Sequence, residues 1–276
     1  MEIQLKNISL YYEEFGSGRP LLMLHGWPLD HHAMQGAFEP IFADRPGWRR
    51  IYLDLPGMGR SGAPEWITGQ DQVLSVLLEF VDIVLPGQRF CVAGLSYGGL
   101  LTQGLVHHLG QRLDGVLFLV PSIFSRADGD LAEFSVMHAE EIDYGGLSQD
   151  QIASFKGMAV VQNQSHLQAW KDFIFPGVQA ANFAFLNNLK EPYSFDVEKL
   201  DHPFPAPALF LLGRQDSVVG FRAALRLLDD FPHATFAALD RAGHCLNMEQ
   251  PAVYRALVHE WLDRVEEYGI PKSKMS

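Results

Sequence analysis

The chain has 276 residues, enough for one large domain or a domain with an insertion, and its 47% hydrophobic and 20% charged residues are ordinary for a globular protein. A formal net charge of −12 argues against nucleic acid or an anionic membrane surface as a partner. Residues Met1–Lys6 lack the basic start and apolar run of a signal peptide, and no uncharged stretch is long enough to span a bilayer. The expectation is a cytoplasmic protein whose two cysteines, Cys91 and Cys245, are reduced thiols.

Short apolar runs alternate with longer helical patterns. Strands are expected at Ile8–Glu13, Pro20–Leu24, Arg50–Leu53, Arg89–Ala93, Val116–Val120, Ala208–Leu212 and Thr235–Leu239. Four contain wholly apolar stretches (Leu21–Leu24, Phe90–Ala93, Val116–Val120 and Leu209–Leu212), as parallel strands do when helices cover both faces. Helices are expected at Gly69–Leu85, Gly98–Leu109, Gly220–Asp230 and Pro251–Glu267, with Pro251 suited to a first turn. Strand then helix, repeated, predicts a doubly wound α/β sheet.

The alternation breaks between Ser122 and about Phe204. Helical pieces are expected there at Asp130–Asp143, Ser148–Val161, Ser165–Phe173 and Val178–Leu189. Residues 1–121 and 205–276 therefore form the core and 122–204 an insertion. The insertion holds nine of the 19 phenylalanines, with 12 acidic against 5 basic residues. Such a segment is either a lid over a site below or a small core of its own. Gly269–Ser276 is expected to fray.

Gly94-Leu95-Ser96-Tyr97-Gly98 stands between an expected strand and an expected helix, the setting of a nucleophile elbow. A lone serine is a poor nucleophile, so Ser96 needs a base, an acid that orients the base, and an oxyanion hole. His244 follows the last expected strand and so lies at the same sheet edge. Asp216, just past the strand Ala208–Leu212, can hold its tautomer, or can simply cap the following helix. Asp240 is the rival acid; the chain order Ser96, Asp216, His244 favours Asp216. The oxyanion donors are the backbone N–H groups of Tyr97 and, in His25-Gly26-Trp27-Pro28, of Trp27. His31-His32 and His107-His108 are adjacent pairs not expected to share a face, and no metal-site spacing is evident. The loop Asp54–Gly62 lacks the lysine of a phosphate loop and reads as a turn shaping the site rim.

These segments, with Gly213-Arg214-Gln215-Asp216 and Gly243-His244, resemble the α/β-hydrolase superfamily in their order along most of the chain. The resemblance implies an eight-stranded, mostly parallel core with a helical cap inserted after the sixth strand. It also implies a triad of Ser96, Asp216 and His244, no cofactor, and a small-molecule substrate; the oligomeric state stays open. Ser96 argues against dehalogenases and epoxide hydrolases, which use aspartate there. Ester hydrolysis through an acyl-enzyme is the leading reading. The chain is also similar to carbon–carbon bond hydrolases of aromatic ring-fission products. It departs from them in having Cys245 where they carry tryptophan, and a cap whose only arginine is Arg126. A ligand receptor on the same fold is the reading from another class.

Overall fold

The computed structural model describes residues 1–268, and the expected frayed tail Gly269–Ser276 lies outside them. Eight strands form one sheet: β1 (Glu2–Gln4), β2 (Ser9–Phe15), β3 (Arg19–Leu24), β4 (Trp48–Leu53), β5 (Phe90–Leu95), β6 (Leu113–Leu119), β9 (Ala208–Gly213) and β10 (Ala234–Leu239). A separate pair, β7 (His138–Ala139) and β8 (Val161–Gln162), lies between β6 and β9 in the chain. The sheet order is β1-β2-β4-β3-β5-β6-β9-β10. Pairing is antiparallel at β1–β2 and β2–β4 and parallel from β4 to β10. Seven strands were expected; the missed one, β1, has three residues and two exposed side chains, too few to show a period.

From β3 the chain steps outward to β4, then returns to the other side of β3 with β5. The crevice beyond the strand ends at such a reversal is where ligands bind in open α/β sheets. In register, Leu24 at the end of β3 sits beside Gly94 of β5. The loops after these two strands are therefore neighbours, although about seventy residues separate them.

The apolar strands divide their side chains between two cores, as a period of two requires. Leu22, Val92, Phe118 and Phe210 face one core, with Leu74 and Phe80 of α2 (Gln70–Val84) and Leu101 and Leu105 of α3 (Tyr97–Leu109). Met23, Ala93, Leu117 and Leu211 face the other, with Phe38 of α1 (His31–Phe42) and Trp261 and Val265 of α9 (Pro251–Tyr268). Phe210 stacks between Phe236 and Phe118, centroids 4.1 and 4.3 Å apart, across three neighbouring strands. The helix expected at Gly220–Asp230 is a 3-10 helix over Ala223–Asp230.

Between β6 and β9 the expected helices are partly corrected. α4 (Gln149–Met158) and α5 (Gln164–Phe173) are present; Ser148 and Gln151 form a capping box at the first. Val178–Leu189 is two short helices, α6 (Phe175–Ala180) and α7 (Phe183–Leu186). Asp130–Asp143 is not a helix. The Met137, His138 and Glu140 N–H groups donate to Val160 and Gln162 carbonyls, so strand pairing with a distant segment replaces local helix bonds. Phe155, Leu167 and Trp170 form a small core within this region, whereas Phe185 and Phe204 pack on the main core and Phe124, Phe134 and Phe183 stay exposed. Among the described residues no helix is long and apolar enough to cross a membrane.

Candidate active site

Ser96 sits between β5 and α3 with φ 52° and ψ −112°, a left-handed conformation costly for a side chain bearing Cβ. Its surroundings fix it there. Its N–H donates to the Leu119 carbonyl at 2.9 Å, and its carbonyl accepts from Gly99, Leu100 and Ser122 N–H groups. The glycine two residues on is required by close packing: a Cβ at Gly98 would lie 2.1 Å from the Leu24 carbonyl oxygen. The expected strained elbow is thus present, and its strain comes from tight packing of α3 against the end of β3.

His244 Nε2 lies 3.0 Å from Ser96 Oγ, and His244 Nδ1 lies 2.8 Å from Asp216 Oδ2. Asp216 is fully buried; its Oδ1 accepts the N–H groups of Val218 and Val219 at 2.8 and 2.9 Å. Asp216 does not cap the following helix, which begins at Ala223 behind Arg222; one of its oxygens organises its own turn and the other engages the histidine. Asp240 is exposed, and among the described residues its carboxylate makes no hydrogen bond or ion pair with His244, whose acidic partner is Asp216. Burial works against charge on both partners, yet each offsets it for the other. Asp216 is held below the usual carboxylate range by the charge and hydrogen bond of His244, and His244 is raised above the usual imidazole value by Asp216.

Trp27, from the loop after β3, and Tyr97, the first residue of α3, flank the serine. Among the described residues no acceptor takes either backbone N–H. A Cβ at Gly26 would come within 3.2 Å of Ser96 Cβ, so the Trp27 loop lies directly on the elbow. The Tyr97 side chain turns away; its hydroxyl donates to Gln70 Oε1 at 2.7 Å, and its ring meets the Trp27 indole edge-on at 5.5 Å. His25, fully buried, accepts the Leu55 N–H at Nε2 (3.0 Å). Its Nδ1 therefore carries the proton and donates to the Gly26 carbonyl at 2.8 Å. It pins the Trp27 loop to the end of β4, and burial pushes its pKa down, favouring the neutral ring.

The Asp54–Gly62 loop does not reach the cavity rim as expected. Asp54, fully buried, accepts the N–H groups of His31 and Arg60 and lies 2.8 Å from His31 Nδ1. The loop thus supports His25 and α1 from behind. The histidine pairs also need correction: the His31 and His32 rings lie 4.0 Å apart, and those of His107 and His108 5.3 Å. Donor atoms of Asp30, His31 and His32 come within 4.8 Å of one another. These groups are already engaged: His31 Nδ1 lies 2.8 Å from Asp54 Oδ1, His32 Nδ1 lies 3.1 Å from Asp30 Oδ2, and Asp30 is the N-cap of α1.

Above Ser96 and His244 lies a cavity of about 140 Å³. Its far wall comes from the inserted segment: Met158, Trp170, Ile174, Phe175 and Val178, with Ser154. Asn247 and Met248, from α8 (Leu246–Glu249), and Cys245 complete it. Among the described residues lining it, none is Asp, Glu, Lys or Arg. Arg126 is elsewhere, in a shallow depression beside Phe124 and Val219, with its guanidinium donating to the Val218 carbonyl. The wall residues were not individually foreseen. Their aromatic enrichment was visible, but which rings turn inward is set by packing.

A model of the alpha/beta hydrolase family matches residues 21–257. The chain is similar to the solved alpha/beta superfamily hydrolase of Oenococcus oeni PSU-1, 31% identical over 96% of this chain and 99% of that one, with a TM-score of 0.86. It is also similar to a pimeloyl-[acyl-carrier protein] methyl ester esterase of Aeromonas salmonicida, 28% identical over 91% of this chain and 98% of that protein. The AB hydrolase superfamily protein YisY of Bacillus subtilis is 24% identical over 93% of this chain and 96% of its own length.

Proposed function

Because the chain belongs to the alpha/beta hydrolase family, we propose that it is a serine carboxylic-ester hydrolase acting on compact, uncharged small molecules. The observation that carries this reading is the hydrogen-bonded series Ser96–His244–Asp216 at the floor of a cavity without formal charge. The esterase names among its relatives support ester cleavage as the general chemistry.

In this mechanism His244 Nε2 takes the Ser96 proton as Oγ attacks the acyl carbonyl. The N–H groups of Trp27 and Tyr97 receive the oxyanion, each donor contributing roughly 3 kcal/mol to the transition state. His244 then gives the proton to the leaving alkoxide, and later removes one from the water that releases the acyl group. Asp216 stays ionised throughout and holds the Nδ1–H tautomer. No step calls for a cofactor. The inserted segment, 122–204, serves as the cap, whose wall excludes water and selects the acyl group.

Size and charge define the substrate class. An apolar cavity of about 150 Å³ takes up benzene. The cavity here is of that order, so it suits a short branched or single-ring acyl group. A carboxylate on the substrate would meet no lysine or arginine among the described residues lining the cavity. With Arg126 outside the cavity, this weighs against carbon–carbon hydrolysis of an acidic dienol.

A panel of short-chain and aryl p-nitrophenyl esters, a lactone and a dienoate ring-fission product, with Ser96→Ala as control, tests the proposal. Steady turnover of neutral esters is expected. Rapid dienoate cleavage with poor ester turnover would replace this reading by the carbon–carbon one. Very slow turnover with a large ligand-induced rise in Tm would point to a receptor instead.

A further inference from the structure

The proposed reaction requires His244 and the cavity wall to keep one register, and a buried group behind the histidine touches both. Glu249 closes α8, five residues after His244, with its side chain only 5% exposed. Its Oε2 accepts the Gly243 N–H at 2.6 Å, and its Oε1 accepts the Val160 N–H at 2.8 Å. Gly243 immediately precedes His244. Val160 immediately precedes β8, and its carbonyl holds the N–H groups of Met137 and His138. Val160 follows α4, which brings Ser154 and Met158 to the cavity. A Cβ at Gly243 would come within 2.9 Å of Val160 Cγ1, so the two segments close on each other at a glycine.

We propose that Glu249 is a positioning residue: its carboxylate grips Gly243 and Val160 together and so couples the inserted segment to His244. The proposal rests on the reading of His244 as the base. An ionised carboxylate offers a strong acceptor to each N–H; protonation leaves the hydroxyl oxygen a weaker acceptor and adds a proton that needs a partner of its own. Burial pushes the Glu249 carboxyl up to about 7, against the pull of the Gly243, Val160 and Val161 N–H groups, and the charge of Asp216 adds to the rise. The other ionisable groups on the loop that leads into α8 are His244 and Cys245, together with Asp240 and Arg241, which are exposed. From α5 comes His166, whose Nδ1 bonds the Val161 carbonyl and which burial keeps neutral. From α9 comes buried Tyr254, whose hydroxyl burial raises, and β9 supplies no ionisable side chain. Among the described residues no lysine or arginine forms an ion pair with Glu249. Its charge is thus met by backbone N–H groups rather than by a cationic side chain, and burial brings its titration to about 7.

The experiment has two arms. The first measures kcat and KM for a neutral p-nitrophenyl ester across pH, and Tm, in wild type and Glu249→Gln. Glutamine keeps the shape but sets an NH2 donor against one of the two N–H groups. At alkaline pH the variant is expected to lose roughly tenfold or more in kcat/KM, with kcat lowered and KM raised together, because base and cavity wall both shift. Its Tm there is expected to hold, since an ionised buried carboxylate weighs against the folded state. On the acid limb, log kcat/KM of wild type should fall with a limiting slope near two, one proton each for His244 and Glu249, and that of the variant with a slope near one. The second arm follows amide hydrogen exchange in wild type. If the grip opens as one unit, exposing Glu249 together with the amides it holds, at least one of the Gly243 and Val160 amides should gain protection, relative to intrinsic exchange, as pH falls through about 7, because the closed carboxyl binds its proton more tightly than the open one.

Unchanged kcat, KM and slope in Glu249→Gln would overturn the proposal, as would activity lost only in step with a lower Tm at unchanged slope. Should the variant fail to fold, constant amide protection across this range in wild type would overturn it, and the expected gain toward lower pH would support it. Failure of the esterase reading is a separate result: no ester turnover and no fluorophosphonate adduct on Ser96, with the amide measurement still deciding the coupling.

Discussion

His244 Nε2 lies 3.0 Å from the Ser96 hydroxyl although 148 residues separate the two along the chain. The sheet makes this possible: β5 and β10 both end at the same edge, and each delivers one partner from the loop beyond its last residue. The imidazole is held from its far side by Asp216, so the ring is fixed before any substrate arrives.

Replacing Ser96 separates chemistry from stability. Ser96→Ala removes the attacking oxygen and keeps the strained backbone; kcat should fall by a factor on the order of 10⁴ or more. Ser96→Gly removes the oxygen and also relieves the left-handed conformation. It should be equally inactive yet more stable than Ser96→Ala by about 1 kcal/mol, read from denaturant midpoints. Equal midpoints would show that the elbow stores no strain.

Asp216→Asn tests tautomer control. The asparagine amide no longer fixes a proton on Nδ1, and kcat should drop by about 10⁴. The pH profile carries a second signature. Asp216 raises the His244 pKa above its ordinary 6.5, so wild-type kcat/KM should climb with pH through an apparent value above that figure. In Asp216→Asn the residual activity should climb at lower pH, and an unmoved limb would argue that some other group is the base.

The same shifts fix signs for stability. Asp216 titrates lower in the folded state than its ordinary 3.8, so its contribution is present above that pH and is lost as pH falls through the folded value. His244 titrates higher folded than unfolded, so its contribution is present below 6.5 and is lost as pH rises through the folded value. Glu249 acts oppositely to Asp216. Its carboxyl is raised from 4.5 to about 7, so the folded state is disfavoured progressively as pH rises between these values. This amounts to roughly 3 kcal/mol at most. Urea midpoints of wild type and Glu249→Gln should therefore diverge in the variant's favour across this range, and parallel curves would contradict the assignment.

The sheet centre depends on Phe210, fully buried and stacked between Phe118 and Phe236. Phe210→Ala should cost about 3–5 kcal/mol, measured by urea unfolding. Its effect on kcat of the remaining folded enzyme should be small, because the ring lies away from the Ser96 cavity. A loss under 1 kcal/mol would mean that the three-strand stack collapses to fill the gap.

What was legible in the sequence followed from local rules. Ser96 announces itself through two glycines that α3 needs for close packing, and Asp216 and His244 stand directly beyond apolar strands that leave few alternatives. Trp27 was reached by the same logic, from the loop after β3. Where structure depends on partners far along the chain, the sequence was silent or misleading. The segment around Met137 and His138 looked helical because nothing nearby shows that its N–H groups bond to Val160. Glu249 gave no signal because its partners lie 6 and 89 residues away and are backbone groups. The His31 and His32 rings come within 4.0 Å although they are adjacent in α1; each Nδ1 engages an acidic partner, Asp54 and Asp30, which spacing alone does not show.

The most direct test of the central claim is to treat the native protein with a fluorophosphonate and locate the adduct by peptide mass spectrometry. The account expects one adduct, on Ser96, formed together with loss of ester turnover and absent in Ser96→Ala. An adduct on another serine, or full ester turnover in Ser96→Ala, would contradict it.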